Sequence, residues 1–243
     1  MIKRPGFHRL FTALLGLAIC AVFSSAVAQE NEKMNEGETV ADAAISKNKA
    51  MKDIPDVPGL PRVLLIGDSI SIAYTLPVRE LLKGKANVHR IPGNGMNTAN
   101  GLKQLNNWLG TGKWDVIHFN FGLWDAKHKG DTTQVPREDY EKNLSEIVKR
   151  LQATGAKIIF ATTTPVPELL EPPTRHFDNI PARNEIAVKV MKQKDVAVDD
   201  LYTAILPKQA EYQRPKDVHF NTQGSALLAK SVAESIGQEL PKK

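Results

Sequence analysis

Cysteine is nearly absent from this chain. Its 243 residues include one, Cys20, which excludes an intrachain disulfide and any cysteine-rich metal centre. Histidine is also scarce. His89, His118, His128, His176 and His219 show no compact ligand spacing, so a structural zinc site is not expected. Gly93-Asn94-Gly95 lacks the further glycines and the lysine of a dinucleotide or P-loop fingerprint. The Gly-x-Ser-x-Gly elbow of α/β-hydrolases is missing around Ser69. Lysines and arginines are interspersed with acids rather than clustered. The formal charge of +5 therefore predicts no nucleic-acid partner.

Only one long apolar run is present, and it lies at the N-terminus. Lys3, Arg4 and Arg9 precede an almost continuous apolar stretch from Leu10 to Phe23, followed by Ser25-Ala26-Val27-Ala28. That order is the pattern of an export signal, with cleavage expected before Gln29 and a periplasmic or secreted product. A retained membrane anchor fits less well, because a span needs roughly 20 apolar residues and this run ends in small ones. A lipoprotein site at Leu17-Ala18-Ile19-Cys20 fits poorly, since isoleucine before the cysteine is bulky. Removing residues 1–28 from the 243 leaves 215, takes three basic residues away and brings the charge from +5 to +2. The mature chain then has no cysteine and no membrane span. Its stability must come from a core, for which this length supports a single sizeable domain.

Residues 29–61 read as a polar arm, with weak helical character at 38–52 and a proline-marked end at Pro55, Pro58 and Pro61. From Arg62 onward, short β-branched runs alternate with amphipathic stretches. Strands are predicted at 62–66, 87–91, 114–121, 157–162 and 196–198. Helices are predicted at 76–82, 98–109, 137–153, 180–194, 201–206 and 222–240. In 137–153, for example, Tyr140, Leu144, Ile147, Val148 and Leu151 form one apolar stripe. Strands separated by helices predict an α/β fold, a three-layer α/β/α sandwich around a mainly parallel five-stranded sheet. Functional residues in such a fold gather at the carboxyl ends of the strands. Ser69, Gly93 to Asn97, Asn120 to Asp125 and Thr163 to Pro167 all follow predicted strands.

Two distant segments carry chemistry. Leu64-Leu65-Ile66-Gly67-Asp68-Ser69 ends a strand at a glycine that permits a sharp turn and then presents a serine. Asp217-Val218-His219 precedes the last helix. A serine hydroxyl is a weak nucleophile unless a base takes its proton, and a histidine oriented by a carboxylate is the common base. Each segment also has a structural reading on its own. Asp68 or Ser69 suits a helix cap, and a histidine can satisfy a local hydrogen bond.

The pair together resembles the SGNH, or GDSL-type, hydrolase family. Gly67-Asp68-Ser69 matches its first block and Asp217-Val218-His219 its last, with block order fitting from Val63 to about Leu240. The resemblance implies esterase activity without a metal or organic cofactor. It implies Ser69 as nucleophile, His219 as general base and Asp217 as orienting acid, with Ser69 and Gly95 amides in the oxyanion hole and Gly93 as the alternative second-block glycine. Two blocks depart from the pattern. Lys216 stands three residues before the histidine, where the aspartate usually is. Gly122-Leu123-Trp124-Asp125 carries tryptophan where an asparagine would donate to the oxyanion. Asn120 is the favoured replacement donor, with Asn94 and Asn97 as local alternatives; closing a loop is an equal reading for Asn120. Trp124 suits a pocket wall, against a sugar face or an acyl chain, or a place in the core. Asp125 suits substrate binding or an amide cap; Asp68 beside the nucleophile, Asn94, Asn97 and Arg175 are further candidates for substrate binding, and Arg175 and His176 occupy a proline-rich stretch that suits a cleft rim or a rigid surface loop. The expected substrate is a small acyl ester, acetyl first, on an extracytoplasmic carbohydrate. A lipid esterase or lysophospholipase, and a non-catalytic glycan-binding protein on the same scaffold, are the rival readings.

Overall fold

A computed structural model describes residues 40–172 and 176–241. The leader, the cleavage segment, residues 29–39 of the polar arm and Arg175 lie outside the described residues. The chain divides into two units, residues 1–44 and 45–243. The first is described only over 40–44, the opening of helix α1 (Val40–Met51). The rest of the arm, 45–61, belongs to the second unit. There the Asn87 side chain accepts from Val57 N–H at 2.9 Å and donates to Val57 O at 3.1 Å, which seats the proline-marked segment beside the sheet.

In chain order the second unit holds β1 (Arg62–Ile66), α2 (Ser69–Leu81), β2 (Asn87–Arg90), α3 (Thr98–Leu109), β3 (Val116–Phe119), α4 (Leu123–Ala126) and the short strands β4 (His128–Lys129) and β5 (Thr132–Thr133). Then come α5 (Arg137–Gln152), β6 (Lys157–Ala161), α6 (Ile180–Gln193), β7 (Ala197–Asp199), α7 (Leu201–Ile205), α8 (Gln209–Tyr212) and α9 (Thr222–Glu239). Five strands form one sheet in the order β2-β1-β3-β6-β7, with every pairing parallel. The expected α/β/α sandwich with its flavodoxin-like parallel sheet is therefore the fold. β4 and β5 make a separate antiparallel pair.

Alternation along the strands builds both layers. Val63 and Leu65 face α2 and α9, packing with Tyr74, Val78, Leu228, Val232 and Ile236. Leu64 and Ile66 face the opposite way, toward α3, α5 and α6, with Leu105, Leu144, Ile147, Val148 and Met191. The short elements α4, β4, β5 and α8 were not among those predicted, and two predicted elements have different bounds for a visible reason. Helix α2 begins at Ser69, well before Leu76, because Asp68 caps it by accepting from Ile70 N–H at 2.9 Å; Pro77 is carried inside. Strand β3 is shorter than 114–121, since pairing stops where Asn120 turns its side chain to a neighbouring strand.

Ile147 lies in the α5 stripe with no exposed surface. Ile147→Ala is expected to lower unfolding free energy by about 2–5 kcal/mol, from lost burial and the cavity left behind. Urea denaturation of the variant and parent, at equal m-values, checks this.

Candidate active site

The carboxyl ends of β1, β2, β3 and β6 meet at one edge of the sheet, and the nucleophile turn stands at their centre. Gly67 and Asp68 leave β1, and Ser69 is the first residue of α2. Its N–H is one of the amides that a helix start leaves without an intrahelical partner. His219 reaches this point from the other end of the chain. Gln213 bridges Phe220, Arg214 N–H donates to His219 O at 2.8 Å and Asp217 N–H donates to Arg214 O at 3.2 Å. Lys216 sits at φ 56°, and this turn brings Asp217 and His219 to the same side.

The three side chains meet in line. His219 Nε2 lies 2.8 Å from Ser69 Oγ, and His219 Nδ1 lies 3.0 Å from each oxygen of Asp217. A carboxylate on Nδ1 holds the proton there, leaving Nε2 to accept from the serine hydroxyl. Lys216, which occupies the aspartate's usual place in the family pattern, turns away to pair with Glu171 at 2.6 Å. The one-residue shift of the acid is absorbed by the turn.

The remaining candidates separate by position. Gly95 N–H donates to Gly67 O at 2.9 Å. A Cβ on Gly95 would lie 2.8 Å from that carbonyl, so this residue lets the loop after β2 close on the nucleophile turn. Asn120 Nδ2 donates to Ala161 O at 2.8 Å and to Thr163 Oγ1 at 3.4 Å, tying the end of β3 to β6. Both donors expected beside the serine amide are thus engaged with the chain, and Asn120 takes the loop-closing role. Asn94 accepts from Met96 N–H at 2.8 Å, and Asn97 caps α3 by accepting from Asn100 N–H at 3.0 Å. Asp125 is completely buried and accepts from the N–H and hydroxyl of Thr98, so it braces the first turn of α3 instead of facing a substrate. Asp68 is buried as well. Burial pushes its carboxyl upward, against the lowering effects of Ile70 N–H and the neighbouring His219.

Trp124 does reach the site. Ser69, His219, Leu123, Trp124, Lys127, Phe177 and Val218 line one small cleft of about 30 Å³. Its wall is a strap in which Lys127 bridges Phe177, His128 N–H donates to His176 O at 2.8 Å and Asp178 N–H donates to Ala126 O at 2.8 Å. A wider groove lies at the opposite, amino-terminal end of the strands, between Leu60, Leu82, Asp115 and Ala233. It holds no serine–histidine pair.

The family profile of GDSL-like lipases and acylhydrolases matches residues 65–227, a span that contains Ser69, Asp217 and His219. The chain belongs to this family. Solved structures agree on the fold. A lipase/acylhydrolase from Enterococcus faecalis superposes with a TM-score of 0.65 at 23% identity, covering 76% of this chain and 99% of that one. The acetyl xylan esterase AlAXEase gives 0.62 at 19% identity, covering 72% and 99%. The acetylxylan esterase Axe2 from Geobacillus stearothermophilus gives 0.60 at 16% identity, covering 75% and 97%. No curated protein matches the sequence.

In this GDSL-like hydrolase one residue that pattern reading missed supports the nucleophile turn from behind. Arg90, at the end of β2, is buried, and its Nη2 donates to Gly67 O at 2.9 Å, Asp68 O at 3.1 Å and Ser71 Oγ at 2.9 Å. Its Nη1 donates to Ile91 O at 2.7 Å and to Gly93 O. One guanidinium therefore ties the loops after β1 and β2 together. Burial pulls it down to about 10, so it stays charged at neutral pH. The only signal in the sequence was a charge at the end of a strand otherwise read as buried.

Arg90→Met removes donors from buried carbonyls while keeping much of the side-chain length. It is expected to cost about 2–4 kcal/mol of stability by denaturant titration. Asp125 supplies a pH test. Burial raises its carboxyl from 3.8 to about 6, and Oδ2 has no hydrogen-bond partner among the described residues. Because the folded value is raised, the folded state holds the proton longer. The stabilising contribution is full below about 3.8 and is lost as pH rises through about 6. Asp125→Asn is expected to flatten this part of the stability profile between pH 4 and 7, measured by urea midpoints along the pH series.

Proposed function

We propose that this protein is a serine esterase removing small acyl groups, acetyl foremost, from carbohydrate outside the cytoplasm. The observation that carries the reading is the 2.8 Å contact between His219 Nε2 and Ser69 Oγ, with Asp217 on the opposite ring nitrogen. In the first step His219 takes the serine proton as Oγ attacks the ester carbonyl, giving a tetrahedral oxyanion. Collapse forms the acyl-enzyme, and His219 gives its proton to the leaving alcohol. A water then attacks the acyl carbon with His219 again as base, releasing the acid and restoring the serine.

The oxyanion needs donors. Ser69 N–H supplies one, reinforced by the positive end of the α2 dipole. The size of the cleft and its apolar walls, Leu123, Trp124, Phe177 and Val218, support a short acyl group over a fatty chain. Acetylxylan esterases among proteins of the same fold support acetylated carbohydrate as the substrate class, by analogy only. The N-terminal pattern of Lys3, Arg4, Arg9 and Leu10 to Phe23 supports export. Among the described residues, no helix is long and apolar enough to cross a membrane.

Turnover of a small aryl acetate should fall at least about 10³-fold in Ser69→Ala with folding retained. Undiminished turnover in that variant removes Ser69 as the nucleophile. Release of fatty acid from lysophospholipid, with no acetate from acetylated polysaccharide, replaces the carbohydrate reading with the lipid one.

A further inference from the structure

The cleft contains one cation that the reaction does not use. Lys127 shares its lining with Ser69 and His219, and its ammonium stands 4.9 Å from the centroid of the Trp124 ring. The position is built rather than incidental. Lys127 N–H donates to Leu123 O at 3.1 Å, its carbonyl accepts from Gln134 N–H at 2.8 Å, and the residue bridges Phe177. The side chain is half-buried. The indole face attracts the ammonium through its quadrupole while leaving its hydrogens free to donate.

No carboxylate among the described residues forms an ion pair with Lys127. The acids near the cleft are otherwise occupied: Asp217 with His219, Asp178 with Arg137 at 2.6 Å, and Asp125 with Thr98 in full burial. A half-buried ammonium with no internal counter-charge, next to a nucleophile, is a receptor for an anion brought by the substrate. The same arrangement bears on Trp124. One face of its ring is covered by the cation, so that face is not free to stack on a neutral sugar.

We propose that Lys127 selects acyl esters of acidic carbohydrate, with the sugar carboxylate paired to its ammonium while the ester lies at Ser69. The inference rests on the esterase reading. A short acyl group carries no charge, so the anion belongs to the alcohol half that leaves. A uronic acid bearing an O-acetyl group meets both requirements in one residue.

The test compares O-acetylated galacturonic acid with its methyl ester, which share the sugar and the acetyl group and differ in charge. Binding is measured by calorimetry to Ser69→Ala, which keeps the cleft and does not consume ligand. The acid is expected to bind at least about tenfold more tightly than the methyl ester at low salt, with the ratio shrinking as ionic strength rises. In Ser69→Ala carrying Lys127→Gln the ratio should fall to about one, and with Lys127→Arg it should persist. Equal affinities for acid and methyl ester in the parent cleft, or a preference that survives Lys127→Gln, overturns the proposal. Wild-type turnover of aryl acetate reports separately on the esterase reading, so the two failures are distinguishable.

Discussion

The Gly67 carbonyl is the point on which the site depends. It accepts from Gly95 N–H at 2.9 Å and from Arg90 Nη2 at 2.9 Å, so two loops and a buried guanidinium converge on one oxygen beside the nucleophile. A serine must be held within a fraction of an ångström to share a proton with an imidazole, and a turn between strand and helix does not achieve this alone. Here the turn is braced from below by Arg90 and from the side by the loop after β2. The absence of a side chain at Gly95 is what permits that approach. The capped start of α2 then fixes the direction in which Ser69 points.

The parallel sheet supplies the second condition. With β1 between β2 and β3, the loops that leave these strands are neighbours by construction. The strap of 126–128 against 176–178 closes the remaining side and carries Lys127 to the cleft. His219 arrives on a separate turn, 150 residues after the serine, held by backbone bonds to Arg214 and by α9 behind it. The contact between Ser69 and His219 thus depends on short connections held by the rigid elements they join.

The fold was legible because its signals are periodic. The stripe of Tyr140, Leu144, Ile147 and Leu151 and the β-branched runs near Leu64, Ile117 and Ile159 specify faces to bury, and they assemble as a doubly covered parallel sheet. Ser69, Asp217 and His219 were legible because a strand-ending glycine and a pre-helix histidine are local patterns. Asn120 and Asp125 were ambiguous for a physical reason. An amide or carboxylate at a strand's end can serve a ligand or brace a loop, and only the positions of Ala161 and Thr98 show which groups it meets. Arg90 carried only the faint signal of a charge in a strand read as buried, and Lys127 none, because the surroundings of a charged side chain are set by residues distant in sequence.

The order of residues alone determined the layers of this protein and the parallel arrangement of its strands, since these follow from periodicity along the chain, and it marked Ser69, Asp217 and His219 as candidates through their resemblance to a family pattern. Tertiary structure alone decided which amides are engaged, how an aspartate one residue out of place still reaches the imidazole, and where the Lys127 ammonium stands. Those are questions of distance between atoms far apart in sequence. Hydrogen bonds and charges act through such distances, and only the closed sheet with its loops brought together sets them.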